Sequence, residues 1–436
     1  MRPVCGLATL LALAAAGPLV AQEKRDALLS NKTGAVMLRT TAGWKPQQAG
    51  VEIKPGDFLV ALPDATLKTK GGAVELNMIA DIGNHGSYPV LESAVTWVGE
   101  SLYDIDATLH RGVIVLKAAK EKTKARIKFA GETWVFTFLQ PETTIVLESY
   151  GRLSPGTHAV SKFMRDGFKG DHGEPDLELA LLVLKGKVFV DFGAKGVALN
   201  APPGPARVHW NNVTDGVDIA HIDKMPVNVM SEADPKTKEQ LEKIRKSIEN
   251  LNKGITPKDV AHAVLDKDAA IPKLTVVVAG ALDNLDGLTL ALMAPRQEVR
   301  EAAIRVTRHW LGREDGQLKR FHDFLVEKKE LKPVQVRNFL QLLVGFDDRE
   351  RADPGTYELL IAHLTHKHIA ARELAHWHLI RLTPDGNKIP FDAAGTEAAL
   401  EESQRRWREL IPHGKVPAPP ETDLKANGPQ AKQVQP

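Results

Sequence analysis

His363, His366, His368, His376 and His378 crowd into one short stretch and supply five of the chain's 15 histidines. Neutral imidazole is a ligand for zinc, copper or nickel. A helix-borne metal pair needs two histidines three or four residues apart on one face, completed by a carboxylate or a further imidazole. His363 and His366 meet the spacing and nothing else. His378 falls in an apolar helical stripe, where a histidine is ordinarily packed and hydrogen-bonded. The pattern favours structural and surface roles, and no metal or cofactor is assigned. Asp171, His172, Glu174 and Asp176, with Asp166 upstream, gather oxygens hard enough for calcium. Their order does not match an EF-hand loop, and solvated loop acids are the simpler reading.

Lys120, Lys122, Lys124, Arg126 and Lys128 alternate strictly, which puts all five on one face of any strand they form. Such a cationic comb offers contact to an anionic envelope polymer, a lipid headgroup or an acidic protein. The competing readings are an edge strand whose lysines block unwanted strand pairing, and a mobile hairpin. The chain has no Gly-x-Ser-x-Gly elbow, no His-Glu-x-x-His helix and no Gly-x-x-x-x-Gly-Lys loop. Two carboxylates on separate strands leave no local spacing signature, so a secreted hydrolase of envelope polysaccharide or peptide stays open as an alternative. The leading reading is a non-enzymatic binding or scaffold protein.

The elements that must position these residues divide into two kinds. From residue 31 to 230, short β-like runs are punctuated by Gly, Pro, Asn and Asp. Phe58–Leu62, Ala73–Leu76, Val113–Leu116, Trp134–Phe138, Thr144–Leu147 and Lys187–Val190 are the clearest. Lys70-Gly71-Gly72 and Ala130-Gly131-Glu132 lie between runs, where glycine supplies the positive φ of hairpin turns. At Asp234-Pro235 the character changes: Leu241, Ile244, Ile248 and Leu251 are spaced as on an amphipathic helix. A boundary near Ser231 separates the β-rich module from a helical module over 231–411. Residues 412–436 read as a disordered tail.

An internal repeat runs through the helical part. Val299-Arg300-Glu301, Val336-Arg337-Asn338 and Ala371-Arg372-Glu373 each begin a helix. They head the stripes Val299, Ala302, Ala303, Val306; Val336, Phe339, Leu340, Leu343; and Ala371, Leu374, Ala375, His378. A second helix precedes each, giving antiparallel pairs that cannot cover their apolar faces alone and so must stack. The pattern over 282–382 resembles a short HEAT-like array, with an irregular bundle as the other packing solution. The expected fold class is therefore multidomain β plus α: an all-β roll or sandwich module followed by an α-solenoid-like module.

Ile53-Lys54-Pro55-Gly56-Asp57-Phe58-Leu59, followed by Ala65-Thr66-Leu67-Lys68-Thr69-Lys70-Gly71-Gly72-Ala73-Val74-Glu75-Leu76, resembles the FecR-type β-domain. That family has a Gly-Asp step into a strand and then two strands joined by a Gly turn. Residues 109–115 and 184–190 are compatible with its continuation, and the resemblance spans at most 35–210. It implies an extracytoplasmic module that contacts a partner. The family's cytoplasmic anti-sigma segment has no expected counterpart, because even a retained leader would leave only Met1–Pro3 in the cytoplasm.

Several function classes are disfavoured by bulk properties. A net charge of +2 over 436 residues argues against a nucleic-acid-wrapping protein. The single cysteine, Cys5, leaves no thiol nucleophile beyond the leader. Residues 1–22 read as a secretory signal of bacterial type: Arg2, the apolar run Leu7–Ala16, and cleavage after Ala21. A retained anchor is the other reading of the same stretch. No later segment has the apolar length of a membrane span. The expected location is periplasmic or secreted, and the expected partners are a protein or an anionic envelope polymer.

Overall fold

A computed structural model describes residues 24–30, 35–62, 65–79, 92–155, 175–193, 195–214, 216–222 and 270–417. The leader, the boundary near Ser231, the 236–251 helix, residues Asp166 to Glu174 and the chain from 418 lie outside the described residues. Among those described, sixteen strands precede nine α-helices, so the chain is β followed by α. The strands are β1 (Ala27–Leu29), β2 (Ala35–Thr40), β3 (Gly43–Gln47), β4 (Glu52–Ile53), β5 (Phe58–Leu62), β6 (Ala65–Thr69), β7 (Val74–Ile79) and β8 (Ser93–Trp97). They continue as β9 (Ile105–Ala118), β10 (Lys124–Phe129), β11 (Glu132–Phe138), β12 (Thr143–Arg152), β13 (Asp176–Asp191), β14 (Gly196–Ala201), β15 (Ala206–Asn211) and β16 (Gly216–His221).

Two long strands organise this region by serving two sheets each. The first half of β9 pairs with β8 and with β10, and its second half pairs with β7 and β12. The bend falls at Gly112, whose φ is +95° and where a Cβ would sit 2.3 Å from the Glu92 carbonyl oxygen. β13 bends likewise at Gly186, φ +84°, between its pairing with β12 and β15 and its pairing with β11 and β14. Strands that cross between sheets need such corners, and only glycine fits them here. The pairings β9–β12–β13–β11–β10–β9 close a five-stranded barrel.

Alternation fills the barrel. Ala125, Ile127 and Phe129 of β10, and Trp134, Phe136 and Phe138 of β11, are all buried. Phe129 meets Trp134 and Trp210 edge-on, with ring centroids 5.0 and 5.3 Å apart, the geometry that the ring quadrupoles favour. Ala130 and Gly131, with φ of 44° and 86°, form the two-residue hairpin turn between β10 and β11. The expected turn is therefore present. Gly131 has open space around it, so Gly131→Ala tests backbone strain alone. We expect a loss of about 1–2 kcal/mol, measured as a lower urea midpoint with unchanged slope.

The helices are α1 (Ala270–Ala281), α2 (Leu285–Leu292), α3 (Gln297–Gly312), α4 (Gln317–Glu327), α5 (Pro333–Val344), α6 (Asp348–Arg351), α7 (Pro354–His363), α8 (Ile369–Leu382) and α9 (Glu397–Leu410). The three stripes lie on α3, α5 and α8 and share one core, in which Val299, Val306, Val336, Leu340, Leu343, Leu374 and Ala375 are buried. Phe339 is only partly buried against that core. The first and third stripe helices also meet directly, through a fully buried ion pair between Arg300 and Glu373 at 2.6 Å. Arg300 further donates to Asp392 and to the Ala294 and Pro295 carbonyls, which leaves this buried cation well satisfied.

Strands and helices pack without a gap. Met37, Val60, Leu62 and Ala94 of the sheet belong to the helical core, and the Trp44 indole donates to the Leu282 carbonyl at 2.9 Å. A Cβ on Gly151 would fall 2.2 Å from the Gly312 carbonyl oxygen, so β12 and the end of α3 touch backbone to backbone. At the same seam Glu92 pairs with Arg111, with His309 at 3.5 Å and Arg313 at 3.7 Å. Arg111 also donates to the Ala281 carbonyl at 3.1 Å.

Candidate functional site

The described helices enclose an apolar cleft of about 330 Å³, within the range of small-ligand pockets. Its floor comes from residues spaced to face one another across short connections: Leu292 of α2, Leu325 of α4, and Phe339 and Leu342 of α5. Met293, 49% exposed at the end of α2, stands at the mouth. A flexible thioether there adapts to irregular apolar shapes. Its polar lining comprises His363, His366 and His368, from the end of α7 and the turn into α8, together with Lys329, Gln335 and Asn338.

The histidines of this lining have a defined hydrogen-bonding pattern. The His363 ring nitrogen Nδ1 donates to the Leu359 carbonyl at 2.7 Å, so in the neutral ring Nε2 is left as an acceptor. The His368 backbone N–H donates to His366 Nδ1 at 3.1 Å, so the neutral His366 carries its proton on Nε2 and is a donor. The two rings stack, with centroids 5.4 Å apart. Burial, with smaller contributions from His363 and His368, lowers the His366 pKa and keeps that ring neutral. Lys329 is held by Asp286 at 2.7 Å. An acceptor and a donor on stacked rings in the lining of an apolar cleft suit the hydroxyl or carboxyl end of an amphiphile.

His376 and His378 lie outside this lining and are buried. His378 donates from Nε2 to the Leu342 carbonyl at 2.7 Å, as a packed histidine in that stripe should. His376 stacks on Phe391 at 4.4 Å, and its Nε2 has no partner among the described residues. Burial pushes their pKa values down to about 4 for His376 and about 3 for His378. A depressed histidine leaves stability intact above its unfolded pKa of 6.5 and subtracts from it as pH falls toward the folded value. His376→Phe should therefore resist acid better than the wild type, by about 2 kcal/mol near pH 4.5, read as urea midpoints at pH 7.5 and 4.5. Among the described residues no group of three or more histidine, cysteine or acidic side chains is placed to hold a metal ion.

The cationic comb is differently arranged from its sequence pattern. The strand begins only at Lys124, so Lys120 and Lys122 lie in the turn before it, Lys122 with φ of 60°. Nor is β10 an edge: it lies between β9 and β11. Arg126 is bound at 2.9 Å to Asp106 and at 2.7 Å to Glu100, and packs over the Tyr103 ring. Although burial works against its charge, these two carboxylates raise its pKa. Its charge is already compensated, which leaves Lys124 and Lys128 on the outer face and Lys120 and Lys122 on the turn. Of the acidic loop, only Asp176 is described, and it accepts from Ser154 and faces Arg152 at 3.8 Å.

Sequence reasoning missed the cleft because Leu292, Leu325, Phe339 and Leu342 carry the same apolar signal whether they face a helix or an opening. Compared with known proteins, the chain matches no family model, no curated protein and no solved structure.

Proposed function

We propose that this chain is an extracytoplasmic, non-enzymatic binding protein, exported by its leader, that holds the apolar part of an envelope amphiphile in its helical cleft. The observation that carries the reading is the apolar cleft of Leu292, Leu325, Phe339 and Leu342, with His363 and His366 also in its lining. In this reading the helical part is a short, tightly wound HEAT-like array. The strand-rich part is a FecR-like roll that contacts a protein or anionic envelope polymer, with Lys120, Lys122, Lys124 and Lys128 as its basic edge.

Glu92 and Glu178, two partly or fully buried carboxylates of the strand-rich part, lack the ionisation of a hydrolase acid. A glycosidase-type acid needs a raised pKa. Burial would raise Glu92 and Glu178, but charged and hydrogen-bonding partners hold both down: Arg111, His309 and Arg313 for the first, Tyr150, His209 and Arg152 for the second. Purified protein passed through gel filtration with a long-chain carboxylic acid should retain the acid in about equimolar amount. Retention that survives blocking of the cleft would overturn the assignment.

A further inference from the structure

Trp377 lies between two arginines: the Arg381 guanidinium carbon is 3.6 Å from the ring centroid and that of Arg308 is 4.9 Å. Arg305 precedes Arg308 by three residues on α3 and so stands on the same face. Arg308 is fixed by donating from one nitrogen to the Leu343 and Val344 carbonyls, and Arg381 by donating to the Trp377 carbonyl at 3.0 Å. Among the described residues none of the three has a carboxylate in ion-pair contact. Glu301, the acid that acts on Arg381 from a distance, is bonded to Gln297 instead.

Arg305 and Arg308 are half-buried and Arg381 is exposed, and their pairing differs from that of several other arginines. Arg111, Arg126, Arg300 and Arg313 each contact a carboxylate directly. Around Trp377 the cations act on one another: burial and the charge of Arg381 push Arg308 down to about 10, and burial with Arg305 lowers Arg381. Like charges held together with only the more distant Glu301 to offset them are costly, and an anion placed among them relieves that cost. The remaining N–H groups of Arg308 and Arg381 are planar forks, the geometry that pairs bidentately with phosphate or carboxylate oxygens.

We propose that Arg305, Arg308 and Arg381, arranged around Trp377, form a binding site for a multivalent oxyanion, a phosphate ester or a polycarboxylate. The site is separate from the apolar cleft and does not depend on it. Two cations come from α3 and one from α8, so an anion would also tie together the first and third stripe helices.

Isothermal titration of the full chain with pyrophosphate and, separately, with citrate, at constant ionic strength set by chloride, tests the site. Saturable binding of one or both is expected, the tighter of the two identifying ester or carboxylate as the preferred source. Arg305→Gln and Arg381→Gln should each weaken it about tenfold, the worth of one charge-assisted hydrogen bond. Arg408→Gln, an exposed arginine on α9, should leave it unchanged. Thermal melts in chloride alone separate lost binding from lost folding, since removing one of three crowded cations should hold or raise the melting temperature. A response that follows ionic strength without saturating, or one retained in full by both glutamine variants, overturns the proposal.

Discussion

Glu92→Gln is expected to destabilise the protein by about 3–5 kcal/mol at pH 7, the cost of leaving buried charge unpaired. Glu92 is 1% exposed and is faced by Arg111, His309 and Arg313 where the strand-rich part meets α3. An amide cannot balance those groups, and Arg111 and Arg313 stay buried. Guanidine unfolding at pH 7 reads the effect. Glu92→Leu with Arg111→Met should recover part of the loss, because a packed apolar pair avoids the desolvation that the ions incur. The pH dependence has a definite sign. Glu92 in the fold titrates far below its ordinary 4.5, so its contribution is complete above that pH and fades as pH falls below it. The gap between wild type and Glu92→Gln should accordingly narrow in acid. A constant gap from pH 7 down to 3 would show that the charge of Glu92 is not what holds the seam.

Blocking the cleft is expected to weaken amphiphile binding about a hundredfold, since excluding three or four methylene groups forfeits about 0.8 kcal/mol each. Ala371, at the start of α8, lines the cleft and is 6% exposed, so Ala371→Trp projects an indole into the trough. Overpacking can itself cost about 1–3 kcal/mol. Met293→Asp supplies the independent arm: the residue is exposed, its replacement should hardly change stability, and a carboxylate at the mouth disfavours entry of an apolar chain. Fluorescence titration with a polarity-sensitive acyl probe, alongside thermal melts, separates the two effects. Normal affinity in both folded variants would remove the cleft from the account.

Much of the fold was legible because period and turn chemistry are local. Phe58–Leu62 is β5, Trp134–Phe138 falls in β11, and the positive φ of Ala130 and Gly131 makes the turn their types imply. The stripes from Val299, Val336 and Ala371 do meet in one core. What was not legible depends on contacts distant in sequence. Gly112 and Gly186 read as ordinary strand glycines until the crossing between sheets gives each a neighbour where a side chain would be. Arg126 joined the comb by alternation, yet Asp106, some twenty residues earlier, claims its charge. Glu92 and Arg313 are separated by about half of the chain, and neither bears a local sign of the other. For the site, the histidine cluster was noticed for its metal chemistry, while the trough beside three of its members was hidden among ordinary core leucines.

Photolabelling with a long-chain carboxylic acid that carries a diazirine near its apolar end, followed by peptide mapping, tests the binding assignment most directly. The account predicts label on peptides containing Leu292, Leu325, Phe339 or Leu342, competed away by the unlabelled acid. Label concentrated on β1 to β16, or spread without competition, would contradict it.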